Sequence, residues 1–191
     1  TPIPGTYHYG NAVDAATPGA IRPTGRQATF TSAATDFEGP AYKILEFAGL
    51  VFLVMGRYVL TGSGTTTATD KDFGAAVLAT DAIVFNDELV VCFGGSTTKI
   101  WKRTAAGVWS QATDAVYATH FGLVLNRLWR ASINVAVSAV SLGSNVAATD
   151  DPLTLTNWST GIVIGDNNVN ITAVSGLGER VAVSKEDGLY I

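Results

Sequence analysis

The residues of this chain that could do chemistry are few and scattered. His8 and His120 stand far apart, and no His-x-x-His, His-Glu-x-x-His or cysteine pair offers the ligand spacing of a zinc site. His120, in ATHFGLVL, falls where an inner strand begins and is expected to be a satisfied core or turn histidine. Cys92, the single cysteine, sits in the apolar run LVVCFGG and cannot form an internal disulfide. No histidine or basic group adjoins it to lower its pKa, so it reads as a small buried hydrophobe. DNNVN (166–170) and TDDP (149–152) gather oxygen ligands that a calcium ion could use, yet turns built by Asx side chains account for both. The Gly-rich GSGTTTATDKD lacks the lysine position and the strand-to-helix setting of a phosphate loop, and there is no G-x-S-x-G nucleophile elbow. Trp101, Trp109, Trp129 and Trp158 fall at related places along the chain, which predicts packing between repeated units; one or two at loop ends could stack on sugar rings. No catalytic, cofactor-binding or metal residue is assigned, no cofactor is expected, and the chain reads as a non-enzyme.

Bulk composition narrows the partners. Hydrophobic residues make up 47% of the 191 positions, charged residues 15%, and the net charge is −4. Clustered Lys and Arg are missing, which argues against nucleic acid or an anionic membrane surface as partner. The longest apolar run, Phe47 to Met55, is far short of the roughly 20 residues of a spanning helix, so no membrane insertion is expected and a soluble protein is. The opening TPIPGTYHYGN shows no basic region followed by an apolar core, hence no visible signal peptide. The closing VAVSKEDGLYI reads as stopping within a strand, and a fragment of a longer protein is the expectation.

The elements that must position any site are strands. Residues 1–41 are rich in Pro, Gly, Ala and Thr and read as an N-terminal arm or lead-in strand. From Tyr42 onward, short β-branched and aromatic runs alternate with Gly, Asn and Asp. Strands are predicted at 44–47, 51–55, 58–61, 82–85 and 89–93, with a polar loop over GSGTTTATDKDFG and a hairpin in KIWKRTAAGVWSQ turning at Ala106-Gly107. No 3.6-residue period is sustained, so the fold class is all-β.

One pattern recurs. KILEFAGLVFLVMG, AIVFNDELVVCFGG, GLVLNRLWRAS and AVSGLGERVAVSKE each join two apolar runs through a tight turn, and the last apolar residue before each turn is Phe47, Phe85, Leu125 and Leu177. The flanks recur too: STTKIW and SKEDGLY read as a turn plus an aromatic-ending strand, VWSQATD and NWSTGIVIGD as outermost strands. A unit of about 40 residues with about four strands has the period of a β-propeller blade, whose thin sheet gains its interior by stacking on its neighbours. The reading is a partial β-propeller of three to four blades over 42–191, at about 42–80, 81–114, 115–165 and an incomplete 166–191. The long third unit is assigned a loop insertion at LGSNVAATDDP. A β-sandwich with similar hairpins is the competing architecture.

SKEDGLY approaches the sialidase Asp-box but places its Asp one position late, and STTKIW lacks both Asp and Gly. Neither supports glycosidase chemistry, which needs paired carboxylates or a nucleophilic tyrosine. The runs DNNVNITAVSGLGERVAVSKEDGLYI and VFNDELVVCFGGSTTKIWKRTAAGVWS resemble the propeller-like repeats of tailed-bacteriophage virion proteins of the tail or tail-tip type. RASINVAVSAVS departs from that pattern by lacking its glycine-aromatic turn. The resemblance covers about Tyr42 to Ile191. It implies a structural or host-surface-binding part of a virion, whose partners are other virion subunits, further copies of itself or a host surface glycan. A secreted carbohydrate-binding or carbohydrate-processing propeller is the alternative, and an intracellular interaction scaffold a third.

Overall fold

A computed structural model describes residues 13–14, 22–23, 31–32, 41–63, 66–74, 77–94, 97–132, 135–141, 151–166 and 168–191. The chain divides into two compact units, Thr1–Thr31 and Ser32–Ile191. In the first, β1 (Val13–Asp14) pairs antiparallel with β2 (Arg22–Pro23). β3 (Thr31–Ser32) falls at the boundary between the units. The rest of the expected arm as far as Pro40, His8 included, lies outside the described residues, as does the expected insertion over 142–150.

The second unit is a succession of antiparallel meanders in chain order. β4 (Ala41–Phe47), β5 (Leu50–Met55), β6 (Tyr58–Ser63) and β7 (Thr66–Asp72) pair consecutively to form a first sheet. A second sheet has β8 (Asp81–Phe85), β9 (Glu88–Cys92), β10 (Trp101–Thr104) and β11 (Trp109–Gln111). The third comprises β12 (His120–Val124), β13 (Arg127–Ser132), β14 (Val135–Ser141) and β15 (Ile162–Val163). The fourth has three strands, β16 (Ile171–Leu177), β17 (Arg180–Lys185) and β18 (Gly188–Tyr190). One 3-10 turn, Leu155–Asn157, is the helical content among the described residues.

The first hairpins of the first three sheets turn in the same way, and that of the fourth differs. Ala48-Gly49, Asn86-Asp87 and Leu125-Asn126 all hold two successive positive φ values, and Gly178 has φ 59 in the fourth. Such turns carry the twist of the flanking strands through a two-residue connection. In the third sheet the turn therefore contains Leu125, and the last apolar strand residue is Val124 rather than Leu125 as the pattern suggests.

The sheets stack face against face. Between the first and second lie Phe52, Val54, Val59, Ala82, Leu89 and Val91. Between the second and third lie Phe85, Val90, Cys92, Phe121, Leu128 and Trp158. Ala131, Ile171, Val174 and Val183 join the third to the fourth. Leu89 and Val91 thus face one neighbour while Val90 and Cys92 face the other, and all four are 0% exposed. A strand covered on both faces needs apolar residues at every position, which is why ELVVC shows no polar–apolar alternation. Each such side chain contributes about 1.5–3 kcal/mol relative to an exposed one.

The stack has a defined order at its first strands. β4 lies against β8, β8 against β12, and β12 against β16. The approach is close enough that a Cβ on Gly122 of β12 would sit 2.7 Å from the backbone oxygen of Val174 on β16.

Three further expectations differ from the structure. The polar loop GSGTTTATDKDFG contains β7, the fourth strand of the first sheet. Its backbone is satisfied by β6, so it needs no apolar run, and hydrophobic pattern could not reveal it. Trp101 opens β10 instead of closing a strand, whereas Tyr190 does close β18. Trp158 precedes its sheet's fourth strand, β15, by four residues and is buried, while Trp109 lies on the corresponding strand β11.

Candidate functional site

Polar groups concentrate where one sheet meets the next. At the first strands, the Asp81 carboxylate accepts from Lys43 Nζ at 2.9 Å and from the backbone N–H of Phe121 at 2.8 Å. One buried side chain on β8 therefore ties β4 on one side to β12 on the other. Its Oδ1 also accepts from the Ala82 N–H at 2.8 Å. Thr80 next to it donates to the Thr119 carbonyl at 2.7 Å. His120 lies beside this cluster, with Nδ1 buried and without a hydrogen-bond partner. Burial pushes its pKa below 6.5, the Asp81 carboxylate works against that shift, and Lys43 adds to it. Burial thus favours the neutral imidazole, next to a carboxylate it does not contact by a hydrogen bond.

A second tie joins the fourth strand of the first sheet to the third and fourth strands of the second. Asp70 on β7 accepts from Arg103 Nε at 2.7 Å, from Arg103 Nη2 at 3.0 Å and from Trp109 Nε1 at 2.7 Å. The Arg103 guanidinium also lies 4.8 Å from the Phe52 ring centre. Phe73 packs edge-on to Trp109 at 5.5 Å and meets Trp101 at 5.6 Å. Lys71 stands 4.3 Å over the Trp101 ring.

Further ties follow the same rule. Lys102 on β10 bridges Glu88 at 2.9 Å and Asp151 at 3.1 Å, and these two carboxylates raise its pKa although partial burial works in the opposite direction. Arg130 donates to the Tyr117 carbonyl and covers Trp158 at 4.6 Å; desolvation lowers its pKa to about 10. Lys185 of β17 donates to the carbonyls of Ile164 and Asp166.

His120 is not the satisfied histidine the sequence suggests, since its Nδ1 is buried without a partner, and other residues singled out in the sequence take structural places. Cys92 is buried, and desolvation raises its pKa far above the ordinary thiol value. In TDDP, Asp151 accepts from the Leu153 N–H at 3.1 Å and from Lys102; in DNNVN, Asp166 accepts from the Asn168 N–H at 2.8 Å. Both are Asx turns. The four tryptophans do come to lie between sheets: Trp101 and Trp109 at the first junction, Trp158 at the second, Trp129 at the third. Asp70 and Asp81 each close one of the Ala-Thr-Asp tripeptides that recur at 34, 68, 79, 112 and 148, a pattern that reads as Asx-type turns in connecting loops; the structure instead places both on strands, and Lys43 carries no signal in the sequence.

A cavity of about 330 Å³ opens between the third and fourth sheets. It is lined by Trp129, Ile162, Val163, Ile164, Gly165, Val181, Val183, Tyr190 and Ile191. Gly165 is required there, because a Cβ at its φ of +59 would lie 2.5 Å from the Tyr190 ring. The lining is mostly apolar, suited to an apolar group more than to a charged substrate.

No protein-family model matches the chain, and no curated protein matches it. Solved structures do resemble it. The extracellular domain of the BT4673 one-component system from B. thetaiotaomicron superposes with a TM-score of 0.59 at 14% identity, over 79% of this chain and 20% of that one. The N-terminal domain of Nup159 gives 0.52 at 10% identity, over 78% and 39%. The computationally designed Ika4 protein gives 0.54 at 11% identity, over 87% and 98%. The chain thus spans about a fifth of the BT4673 domain and about two fifths of the Nup159 domain. The shared feature is the fold: an all-β chain of consecutive antiparallel sheets with β-propeller-like neighbours.

Proposed function

We propose that the four meanders are blades of a β-propeller and that the chain is a non-enzymatic structural component of a virus particle. It acts in a phage tail or at a particle surface, through contacts with other virion subunits or further copies of itself, and a host surface is a further contact. The observation that carries the architecture is the succession of first strands, β4 to β8 to β12 to β16, with a core on both faces of each middle sheet. A two-layer sandwich has one shared interior, whereas radially stacked blades have one between every neighbouring pair. The virion role is supported by the resemblance of 84–110 and 166–191 to phage tail repeats. It is also favoured over glycan recognition by the tryptophans, the side chains best able to stack on sugars, being engaged between sheets.

Two measurements test this. Cryo-electron microscopy of the full-length protein is expected to show a ring of sheets with these first strands around its axis; two facing layers would overturn the propeller. Quantitative mass spectrometry of purified particles is expected to recover this chain in fixed stoichiometry to other virion proteins. Recovery confined to the non-particulate fraction would overturn the virion role.

A further inference from the structure

Aligned on their first hairpins, Phe47, Phe85 and Val124 are equivalent, and four places before each stand Lys43, Asp81 and His120. A cation, a carboxylate and an imidazole thus hold the same position in three successive sheets. Around His120, three hydrogen bonds tie residues 118–121 to the second sheet. The Gly94 N–H donates to the Ala118 carbonyl at 3.1 Å, the Thr80 hydroxyl to the Thr119 carbonyl at 2.7 Å, and the Phe121 N–H to Asp81 at 2.8 Å. The imidazole between them is half-buried, and its Nδ1 is buried without a partner. A neutral ring can leave a bare lone pair there, whereas an imidazolium carries an N–H on both nitrogens and needs an acceptor for each. The elements packed on β12 offer little. On β8, Asp81 already accepts from Lys43 of β4 and from the Ala82 and Phe121 N–H groups. On β13, Arg130 is turned to the Tyr117 carbonyl and Trp158, and Arg127 stands at the far end of the strand. β16, ITAVSGL, has no titratable side chain.

We infer that His120 is an acid-operated latch on the junction between the second and third sheets: protonation of its ring makes residues 118–121 lift from the second sheet, while the junction between the first and second sheets stays closed. Two routes lead to the same opening. The imidazolium turns outward to water, or it swings onto the Asp81 carboxylate in competition with the Phe121 N–H. Either movement displaces the segment that carries the three ties, because the ring in its present place has no acceptor for Nδ1. Lys43 and Arg130, both cations, add repulsion. The first junction is held by Asp70 with Arg103 and Trp109 and by the Ala79 N–H on the Gly56 carbonyl at 2.8 Å, and no histidine is among these residues. The inference rests on contacts between the second and third sheets alone, so a chain found outside particles would leave it intact.

The test is native-state amide hydrogen exchange, read by NMR on the full chain between pH 7.5 and 5.5, with each rate divided by its intrinsic chemical rate. The Gly94 and Phe121 amides, which donate across the second junction, are expected to lose protection by about fivefold from pH 6.5 to 5.5. That is the response of one proton taken up on opening by a ring of ordinary pKa 6.5. The Ala79 amide, the donor across the first junction, should keep its protection. His120→Gln, uncharged at every pH, should abolish the response at Gly94 and Phe121, with circular dichroism verifying its fold. The wild-type chain supplies a readout that needs no variant: with histidines only at 8 and 120, the His120 ring signal can be assigned through bonds and followed with pH. It should titrate below 6.5. A ring that titrates at or above 6.5 in the folded chain takes its proton in place and overturns the inference. So does protection at Gly94 and Phe121 that ignores pH, or a response that survives in His120→Gln. An equal loss at Ala79 would mark unfolding of the whole molecule instead of a local opening, and also overturns it.

Discussion

Replacing Asp70 by Ala should separate the first sheet from the second. Asp70 accepts three hydrogen bonds, two from Arg103 and one from the Trp109 indole. Arg103 is 8% exposed and Asp70 16%, so the pair is largely, though not wholly, removed from water. Removing one member of a buried ion pair costs about 3–5 kcal/mol, because the other charge is left without compensation. The indole N–H adds about 1 kcal/mol for its lost acceptor, and residual water access at Asp70 lowers the sum. A net loss of about 3–4 kcal/mol is expected. With a urea dependence of about 2 kcal/mol per molar, the midpoint should fall by about 1.5–2 M. The double variant Asp70→Leu/Arg103→Met, which removes both charges and keeps the volume apolar, should recover most of the loss. Equilibrium unfolding followed by tryptophan fluorescence and far-ultraviolet circular dichroism reads all three proteins. If the Asp70→Ala midpoint falls by less than about 0.5 M, or the double variant is no better than the single one, the tie is not an inter-sheet clamp and the reasoning fails.

Other expectations follow from the same junctions. Gly122→Ala should destabilise by about 1–3 kcal/mol, since its Cβ would press on the Val174 backbone, while Gly188→Ala, with open space around it, should be close to neutral; thermal melts distinguish them. Leu125→Asn should stabilise by about 0.5–1 kcal/mol, because Leu125 is exposed and holds a left-handed φ of 52; an unchanged or lower melting temperature would contradict this. His120 has its folded pKa lowered, so the unfolded chain binds the extra proton and stability falls as pH drops through 6.5; His120→Gln should flatten that slope in urea titrations at pH 5 to 7.5. The Cys92 thiol stays protonated in the native protein, so stability should fall as pH rises past 9.0, where the unfolded thiol ionises. A disulfide reagent should label Cys92 only on unfolding, and fast native labelling would show that the core between the second and third sheets opens.

Much of the architecture was legible from residue order alone. Strand hairpins with small or polar turn residues come from local chemistry: Asn86-Asp87 takes positive φ readily, and β-branched runs on either side leave no helical alternative. Continuous apolar runs such as LVVC also announce a strand covered on both faces. What needed the tertiary structure is whatever depends on a partner distant in the chain. The strand β7 is polar and becomes a strand because β6 offers it an edge and Arg103, 33 positions away, needs the carboxylate of Asp70. Asp81 looks like any turn aspartate until β4 and β12 arrive on either side of it. The cavity at Tyr190 exists only because Gly165 and Trp129 come from a different sheet. Local conformational preference is written in neighbouring residues, whereas the burial that gives a charge or a ring its role is created by the stacking of sheets, and no stretch of sequence contains both sides of that contact.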